Sequence, residues 1–206
     1  MSRANNRESV IAAVVECGAV QVTGRFFASH CSQSLLCRFV AQRTSLLTLL
    51  GYSWRMKIFQ TLAELSALVG QEVVLSDWIT ITQEQVNQFA QATGDHQWIH
   101  VDVEKAKAGP FGGPIAHGFL TLSLSPRFFE SSLTVVETRM GVNYGLNKVR
   151  FTAPVPVGSR LRARLKLLKS EPIDNNGAQM TWEVAIEREG STKPVCVAES
   201  LARHYP

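Results

Sequence analysis

The sequence predicts an α+β fold in which an antiparallel sheet curls around one apolar helix. Two observations predict this arrangement. A segment that begins near Ile115 is apolar on nearly every helical face, so it has to be buried by other elements. Further along the chain, residues 160–169 alternate basic and apolar side chains, which is typical of a strand with one solvated and one buried face. A sheet with such an apolar face can cover the helix.

Composition and charge divide the chain at Met56. The 206 residues are 45% hydrophobic and 18% charged, which is typical of an ordinary globular protein. Residues 1–55 contain six arginines, no lysine and two acids, whereas residues 56–206 contain fifteen residues of each sign. We therefore interpret 1–55 as a leader outside the domain and 56–206 as a single domain. Because the domain is neutral, a nucleic-acid partner is not expected.

The leader has two interpretations. It is rich in arginine and serine and poor in acids, as organelle transit peptides are. The abrupt change in composition favours an upstream extension instead, with translation beginning at Met56. The apolar runs at 10–15 and 46–50 are too short to span a bilayer, so no membrane span is expected. Three of the four cysteines lie in the leader without metal-ligand spacing, which fits a cytoplasmic protein without structural disulfides.

The first half of the domain carries three helix-start signals. Thr61 precedes a short leucine-rich helix that ends at Gly70, and a strand is predicted over 71–81. Thr82 with Gln85 forms a capping-box pattern at the start of a helix that leads to Gly94. Asp102 is expected to cap a short helix over 103–108.

The second half of the domain is predicted to form the central helix followed by strands. Pro126 is expected to end or kink the helix that starts at Ile115. Turn residues, among them Gly145 and Gly190, separate the strand-like segments. Five strands are predicted, at 135–144, 148–155, 160–169, 178–189 and 193–204.

Candidate chemistry is concentrated in the segment between these halves. Asp95 and His100 stand five residues apart in a stretch that is too short and mixed for a regular element. A carboxylate and an imidazole held close together can share one water and move its protons. Gly118 lies in the first turn of the apolar helix, where backbone N–H groups lack helical partners and could bind a carbonyl oxygen.

Three segments of the domain resemble the MaoC-like dehydratases. They read GDHQWIHVD, GPFGGPIAHGF and NYGLNKVRFTAPVPVGSR, and their spacing agrees with the family from about Met56 to the end of the chain. The resemblance implies a hot dog fold and R-specific hydration of trans-2-enoyl-CoA to 3-hydroxyacyl-CoA, or the reverse dehydration. It implies that Asp95 and His100 are the catalytic pair, and that the Gly118 N–H binds the thioester carbonyl. Which member of the pair is the acid and which is the base stays open.

The resemblance implies a coenzyme A thioester as the substrate, but it leaves the length of the acyl chain open. Many family members have Asn-Pro where this chain has Gln97 and Trp98, so these two residues are predicted to contact the substrate and shape the pocket. Neither a metal nor a redox cofactor is expected for this chemistry. His96 and His117 are interpreted as structural residues.

Two other functions compete with hydration. A non-catalytic acyl-thioester binding protein could have kept the pocket and lost turnover. A hot dog thioesterase usually needs a carboxylate in the central helix, but the chain has no acid between Glu104 and Glu130. The basic residues at 160–166 are interpreted as a solvated face, although they, or Lys148 and Arg150, could meet the phosphates of coenzyme A. An open strand edge predicts a homodimer.

Overall fold

Residues 56–206, the part of the chain that the computed structural model describes, form eight strands and six α-helices. The interpretations of residues 1–55 as a leader, a transit peptide or an upstream extension lie outside the described residues. The strands are β1 Lys57–Phe59, β2 Glu72–Leu75, β3 Ile79–Thr80, β4 Leu133–Val135, β5 Met140–Phe151, β6 Arg160–Ile173, β7 Gly177–Arg188 and β8 Cys196–Tyr205. The helices are α1 Leu62–Ser66, α2 Gln83–Thr93, α3 Trp98–Val101, α4 Val103–Lys107, α5 Gly118–Ser123 and α6 Ser125–Glu130.

The main sheet is antiparallel and has the strand order β2-β6-β7-β8-β5, with β3 also paired to β6. Its inner face supplies most of the core. In β6, Leu161, Ala163, Leu165 and Leu167 are fully buried and alternate with partly exposed arginine and lysine side chains. The predicted solvent-exposed and buried faces of this strand are therefore confirmed. A separate parallel pair joins β1 to β4.

Helices α5 and α6 pack on the inner face of this curled sheet, as the α+β hot dog prediction requires. Phe128 of α6 is fully buried, and the ring of Phe129 meets Trp182 of β7 edge-on at a centroid distance of 5.2 Å. Leu120 of α5 is also buried. The aromatic and aliphatic side chains of the two helices thus complete the core that the sheet cannot close alone.

The central helix differs from its predicted form at both ends. It begins at Gly118 instead of Ile115, because His117 has an extended backbone and is the residue that precedes the first turn. It breaks at Leu124, and Pro126 lies in the first turn of α6, where a missing N–H costs no helical hydrogen bond. Phe119, expected to be buried, is 67% exposed.

Three strand predictions were wrong in detail. The predicted strand over 71–81 is divided into β2 and β3, which pair with successive parts of β6. The predicted strands at 135–144 and 148–155 are largely one strand, β5, because the chain passes Gly145 with a shift of register instead of a turn. Val135 belongs to β4.

The predicted helix caps are all present. The side chain of Thr61 accepts a hydrogen bond from Glu64 N, and that of Asp102 accepts one from Lys105 N. Thr82 and Gln85 form the complete capping box. The stretch from Asp95 to His100, expected to be irregular, instead contains the short helix α3.

Loss of the Thr82 cap should weaken the domain measurably. We expect Thr82→Ala to lower the free energy of unfolding by about 1 kcal/mol, because the Gln85 N–H loses its acceptor at the start of α2. Urea unfolding of the full chain measures this change. Thr93→Ala in the last turn of α2 is the matched control, expected to stay within about 0.5 kcal/mol of the wild type because its hydroxyl donates to a carbonyl that already lies in the helix. Equal losses in the two variants would contradict the prediction.

Candidate active site

Asp95 enters the site from the end of helix α2. Gly94 ends this helix in the left-handed conformation, with φ of 78°, which glycine adopts without steric cost. Asp95 is exposed, and its carboxylate has no hydrogen-bond partner among the described residues. Its backbone carbonyl accepts a hydrogen bond from His117 Nε2 at 3.0 Å. This hydrogen bond therefore fixes the backbone position from which the Asp95 side chain extends.

His100 is held in a buried position on the short helix α3. It is 6% exposed, and its Nδ1 lies 2.7 Å from the carbonyl oxygen of Ile115. Because a carbonyl oxygen only accepts, Nδ1 carries the proton in this contact, and Nε2 of a neutral ring keeps its lone pair. The backbone carbonyl of His100 accepts from Gln83 Nε2 at 2.8 Å, which ties α3 to the start of α2.

The structure brings the two sequence-predicted residues together and adds a third. One side-chain oxygen of Asp95 and one ring nitrogen each of His100 and His117 lie within 4.8 Å of one another. Two polar atoms up to about 5.6 Å apart can share one bridging water, since each O–H···O or O–H···N contact spans about 2.8 Å. The distance between Asp95 and His100 therefore falls within the span that one water can bridge.

Gly118 lies beside His100 on the wall of one cavity. This cavity has a volume of about 370 Å³, and both residues line it together with Phe151 of β5. The N–H of Gly118 has no hydrogen-bond partner among the described residues, as expected in the first turn of a helix. A side chain at Gly118 would meet the Phe151 ring, whose Cδ2 lies 2.7 Å from an ideal Cβ position. Glycine here permits close approach of the strand to the helix start.

Gln97 and Trp98 lie outside the lining of this cavity, as does the Asp95 side chain. Trp98 packs against Gly109, where a Cβ would come within 2.9 Å of its ring, and the ammonium group of Lys105 lies 5.0 Å from the ring centroid. Gln97 is exposed at the start of α3. Trp98 thus fixes the glycine loop beside the cavity, and a substrate contact of either residue stays a prediction.

His117 is the site residue that the sequence interpretation did not single out. It is 2% exposed and its ring stacks on His100 with a centroid distance of 3.8 Å. The available signal was its position directly before Gly118, at the start of the apolar helix. His96, the other histidine interpreted as structural, is exposed.

The Asp95, His100 and His117 cluster has ligand types suited to a divalent cation. Nδ1 of His100 and Nε2 of His117 each already contact a backbone carbonyl, so each ring keeps one nitrogen for a further ligand.

The basic residues of β6 are paired with acids on the outer face of the sheet. Their salt bridges are Arg160 to Glu189 at 2.8 Å, Arg162 to Glu187 at 2.8 Å, and Arg164 to Glu72 at 2.8 Å and to Glu187 at 2.9 Å. These contacts support the interpretation of a solvated face. Arg150 on β5 donates to the carbonyl of Val149, and a role for Lys148 or Arg150 toward phosphates stays a prediction.

Burial should shift the titration of His100. The loss of hydration lowers the pKa of His100 below 6.5, and its hydrogen bond to Ile115 opposes this shift only in part. Because the unfolded chain binds more protons between the lowered pKa and pH 6.5, stability rises with pH through that window, and the ring is neutral above it. An NMR titration of the His100 ring, assigned by loss of the signal in His100→Gln, should give a midpoint below 6.5. A midpoint at or above that value would contradict the prediction.

Comparison with known proteins finds relatives of this chain that are named as a 3-hydroxyacyl-thioester dehydratase and as a nodulation protein. The family model described as "MaoC like domain" matches residues 64–188. The 3-hydroxyacyl-thioester dehydratase Z of Mycobacterium tuberculosis is 57% identical over 149 residues, which cover 72% of this chain and 99% of that protein. Nodulation protein N of Rhizobium leguminosarum bv. viciae is 46% identical over 143 residues, covering 67% of this chain and 87% of that protein.

Solved structures agree in fold. The monoamine oxidase regulatory protein from Archaeoglobus fulgius has a TM-score of 0.58 at 25% identity, covering 74% of this chain and 97% of that chain. The unliganded R-hydratase from Pseudomonas aeruginosa has a TM-score of 0.52 at 26% identity, covering 66% of this chain and 81% of that chain.

Proposed function

The chain belongs to the MaoC-like domain family, and from this premise we propose that it is a lyase that adds water reversibly to a trans-2-enoyl thioester of coenzyme A. The product is the 3-hydroxyacyl thioester, and we propose the R configuration for it. The relative at 57% identity is named a dehydratase of 3-hydroxyacyl thioesters and matches over nearly its full length. The dehydration direction is the same reaction reversed.

Asp95 and His100 would carry the chemistry through one water. The unprotonated Nε2 of His100 takes a proton from the water as its oxygen bonds to C3 of the enoyl group. The Asp95 carboxylate accepts a hydrogen bond from the second water hydrogen and orients it. The imidazolium then gives its proton to C2, so that hydroxide and a proton have been added across the double bond and His100 is neutral again.

Gly118 would stabilise the charge that develops during this addition. As the water oxygen bonds to C3, negative charge spreads over C2 to the thioester oxygen. The unpartnered N–H of Gly118 can donate to this oxygen, and a donor fixed in advance stabilises the transition state more than the ground state. One observation carries the proposal: His100 and Gly118 line the same cavity, and Asp95 lies within 4.8 Å of His100.

Hydration of crotonyl-CoA by the purified full chain tests the proposal. We expect the enoyl-thioester absorbance to fall in the presence of enzyme, and we expect chiral analysis to find the R-3-hydroxy product. Prior treatment with EDTA should leave the rate unchanged, because water is the only co-reactant in the proposed steps. Release of free coenzyme A would support a thioesterase. Tight acyl-CoA binding without turnover at any chain length would support the binding-protein alternative.

We also propose that two copies of the chain associate through the edge of the sheet formed by β5. Within the part of the chain that the structure describes, this strand pairs with β8 on one side and has no strand on the other. It exposes a row of apolar side chains that a partner would cover, namely Met140, Val142, Tyr144 and Leu146. An exposed apolar edge strand favours pairing with a second copy.

Sedimentation of the full chain tests the dimer. We expect the wild type to sediment as a dimer and Leu146→Lys to shift toward the monomer, because the added charge would replace an apolar side chain of the row that the partner covers. Val69→Lys is the matched control, since Val69 is a similarly exposed aliphatic residue away from β5. A monomeric wild type would contradict the proposal.

A cytoplasmic location completes the proposal. Cys196, the cysteine among residues 56–206, is a free and buried thiol, as expected in a reducing compartment. Within these same residues, no helix has the length and apolar character that crossing a membrane requires.

A further inference from the structure

We propose that His117 is a positioning residue for the hydration reaction, holding the Asp95 loop and the His100 ring in their relative places. This inference rests on the proposed function, because the two groups that it positions are the proposed acid–base pair. His117 itself does not line the cavity beside Gly118. It would therefore act through Asp95 and His100 and not on the substrate.

The first contact of His117 fixes the loop that carries Asp95. Its Nε2 donates to the Asp95 backbone carbonyl at 3.0 Å, and this bond joins positions 22 residues apart. The backbone hydrogen bonds on either side of Asp95 are local, from Gly94 N to the carbonyl of Ala90, from His96 N to that of Gly94 and from His100 N to that of Gln97. The Asp95 carboxylate has no partner of its own among the described residues. Among residues 56–206, the hydrogen bond from His117 is thus the long-range hydrogen bond that restrains the backbone from which that carboxylate extends.

The second contact fixes the ring of His100. The imidazoles of His117 and His100 stack at 3.8 Å, and Phe89 of α2 packs against His117 from a centroid distance of 5.0 Å. With its Nδ1 bonded to Ile115 and one ring face covered by His117, His100 can present Nε2 in one direction only. General acid–base catalysis depends on this direction, because a misplacement of about 1 Å can lower the rate about 10²-fold.

The hydrogen bond of His117 places a proton on its Nε2, because the Asp95 carbonyl oxygen can only accept. Its Nδ1 is buried and has no hydrogen-bond partner among the described residues. His117 therefore acts as a donor and a stacking partner, and leaves proton transfer to His100.

Two variants separate these contacts. His117→Gln places an amide N–H near the position of Nε2 and keeps the bond to Asp95 but loses the stack. His117→Phe keeps a ring against His100 but loses the bond. In the full chain we expect His117→Phe to lower kcat for crotonyl-CoA hydration by about 10- to 100-fold with KM changed less than about 2-fold, because a misplaced carboxylate slows the chemical step. We expect His117→Gln to recover most of that loss.

A double-mutant cycle with Asp95→Asn distinguishes positioning from packing. If His117 acts through the carboxylate, His117→Phe should change the residual rate of Asp95→Asn by less than about 2-fold. An undiminished loss in that background, equal losses in the Gln and Phe variants, or full activity of the Phe variant would each overturn the proposal. Thermal melting of every variant identifies any that fail to fold.

NMR supplies a readout that needs no turnover. In the wild type, ¹⁵N shifts of His117 should report a proton on Nε2, and the ¹³C signal of the Asp95 carbonyl should move in His117→Phe and hold its place in His117→Gln. An Nε2 without a proton, or an unmoved carbonyl signal, would overturn the positioning role. A wild type without hydratase activity but with these NMR results would refute the proposed function while leaving the structural link between His117 and Asp95 supported.

Discussion

Replacement of His100 by Gln, or of Asp95 by Asn, is expected to lower kcat for hydration by about 10²- to 10⁴-fold. Glutamine keeps a polar side chain near the carbonyl of Ile115 but cannot take a proton from water. Asparagine keeps the shape of the aspartate but loses the charge and the second acceptor oxygen that orient the water. Because the two residues act on one water, the double variant should lose little more activity than the more severely affected single variant.

Steady-state hydration of crotonyl-CoA by the purified full-length variants measures this loss. His96→Gln is the matched control for His100, since His96 is an exposed histidine of the same segment. Asp77→Asn is the control for Asp95, since Asp77 is exposed in the connection between β2 and β3. Both controls should retain wild-type rates. If His100→Gln and Asp95→Asn retained them as well, the site assignment would be wrong.

Gly118→Ala is expected to lower kcat/KM by about 10- to 100-fold and to destabilise the domain by about 1 to 3 kcal/mol, because overpacking displaces neighbouring groups. The new methyl group would lie 2.7 Å from Phe151 Cδ2. Either the ring moves, which reshapes the cavity that it lines, or the helix start moves and takes the N–H away from the thioester oxygen.

Kinetics and urea unfolding of three further variants decide whether this effect is steric. Phe151→Leu combined with Gly118→Ala should recover part of the lost activity relative to Gly118→Ala alone, because leucine leaves room for the methyl group. Phe151→Leu alone sets the baseline for that comparison. Gly113→Ala should be neutral, since nothing lies within 4 Å of its Cβ position. A Gly118→Ala variant with wild-type activity would remove Gly118 from the proposed site.

Local sequence patterns predicted the elements whose signals are themselves local. The capping box at Thr82 and Gln85 needs only residues three positions apart, so its pattern in the sequence is sufficient to locate a helix start. The alternation in β6 likewise reflects a property of the strand itself. The pair Asp95 and His100 could be chosen because both residues fall in one short segment that resembles a family motif.

Contacts with distant partners could not be predicted from local patterns. Gly145 was predicted to be a turn residue because glycine often ends strands, yet β8 continues to pair on both sides of it and holds β5 together as one strand. His117 was interpreted as a structural residue, and its role in the site stays a prediction. Its contacts with Asp95 and His100 arise from residues 22 and 17 positions earlier in the chain, and no local pattern records them.

The sequence by itself determined which side chains can do the chemistry and which faces of the strands are buried, because these properties belong to residue types and to their periodicity. The tertiary structure alone decided that Asp95, His100 and His117 meet within 4.8 Å, and that Phe151 closes on Gly118. Such contacts depend on the register of the strands and on the positions of the helices, and both are set by the packing of side chains throughout the core.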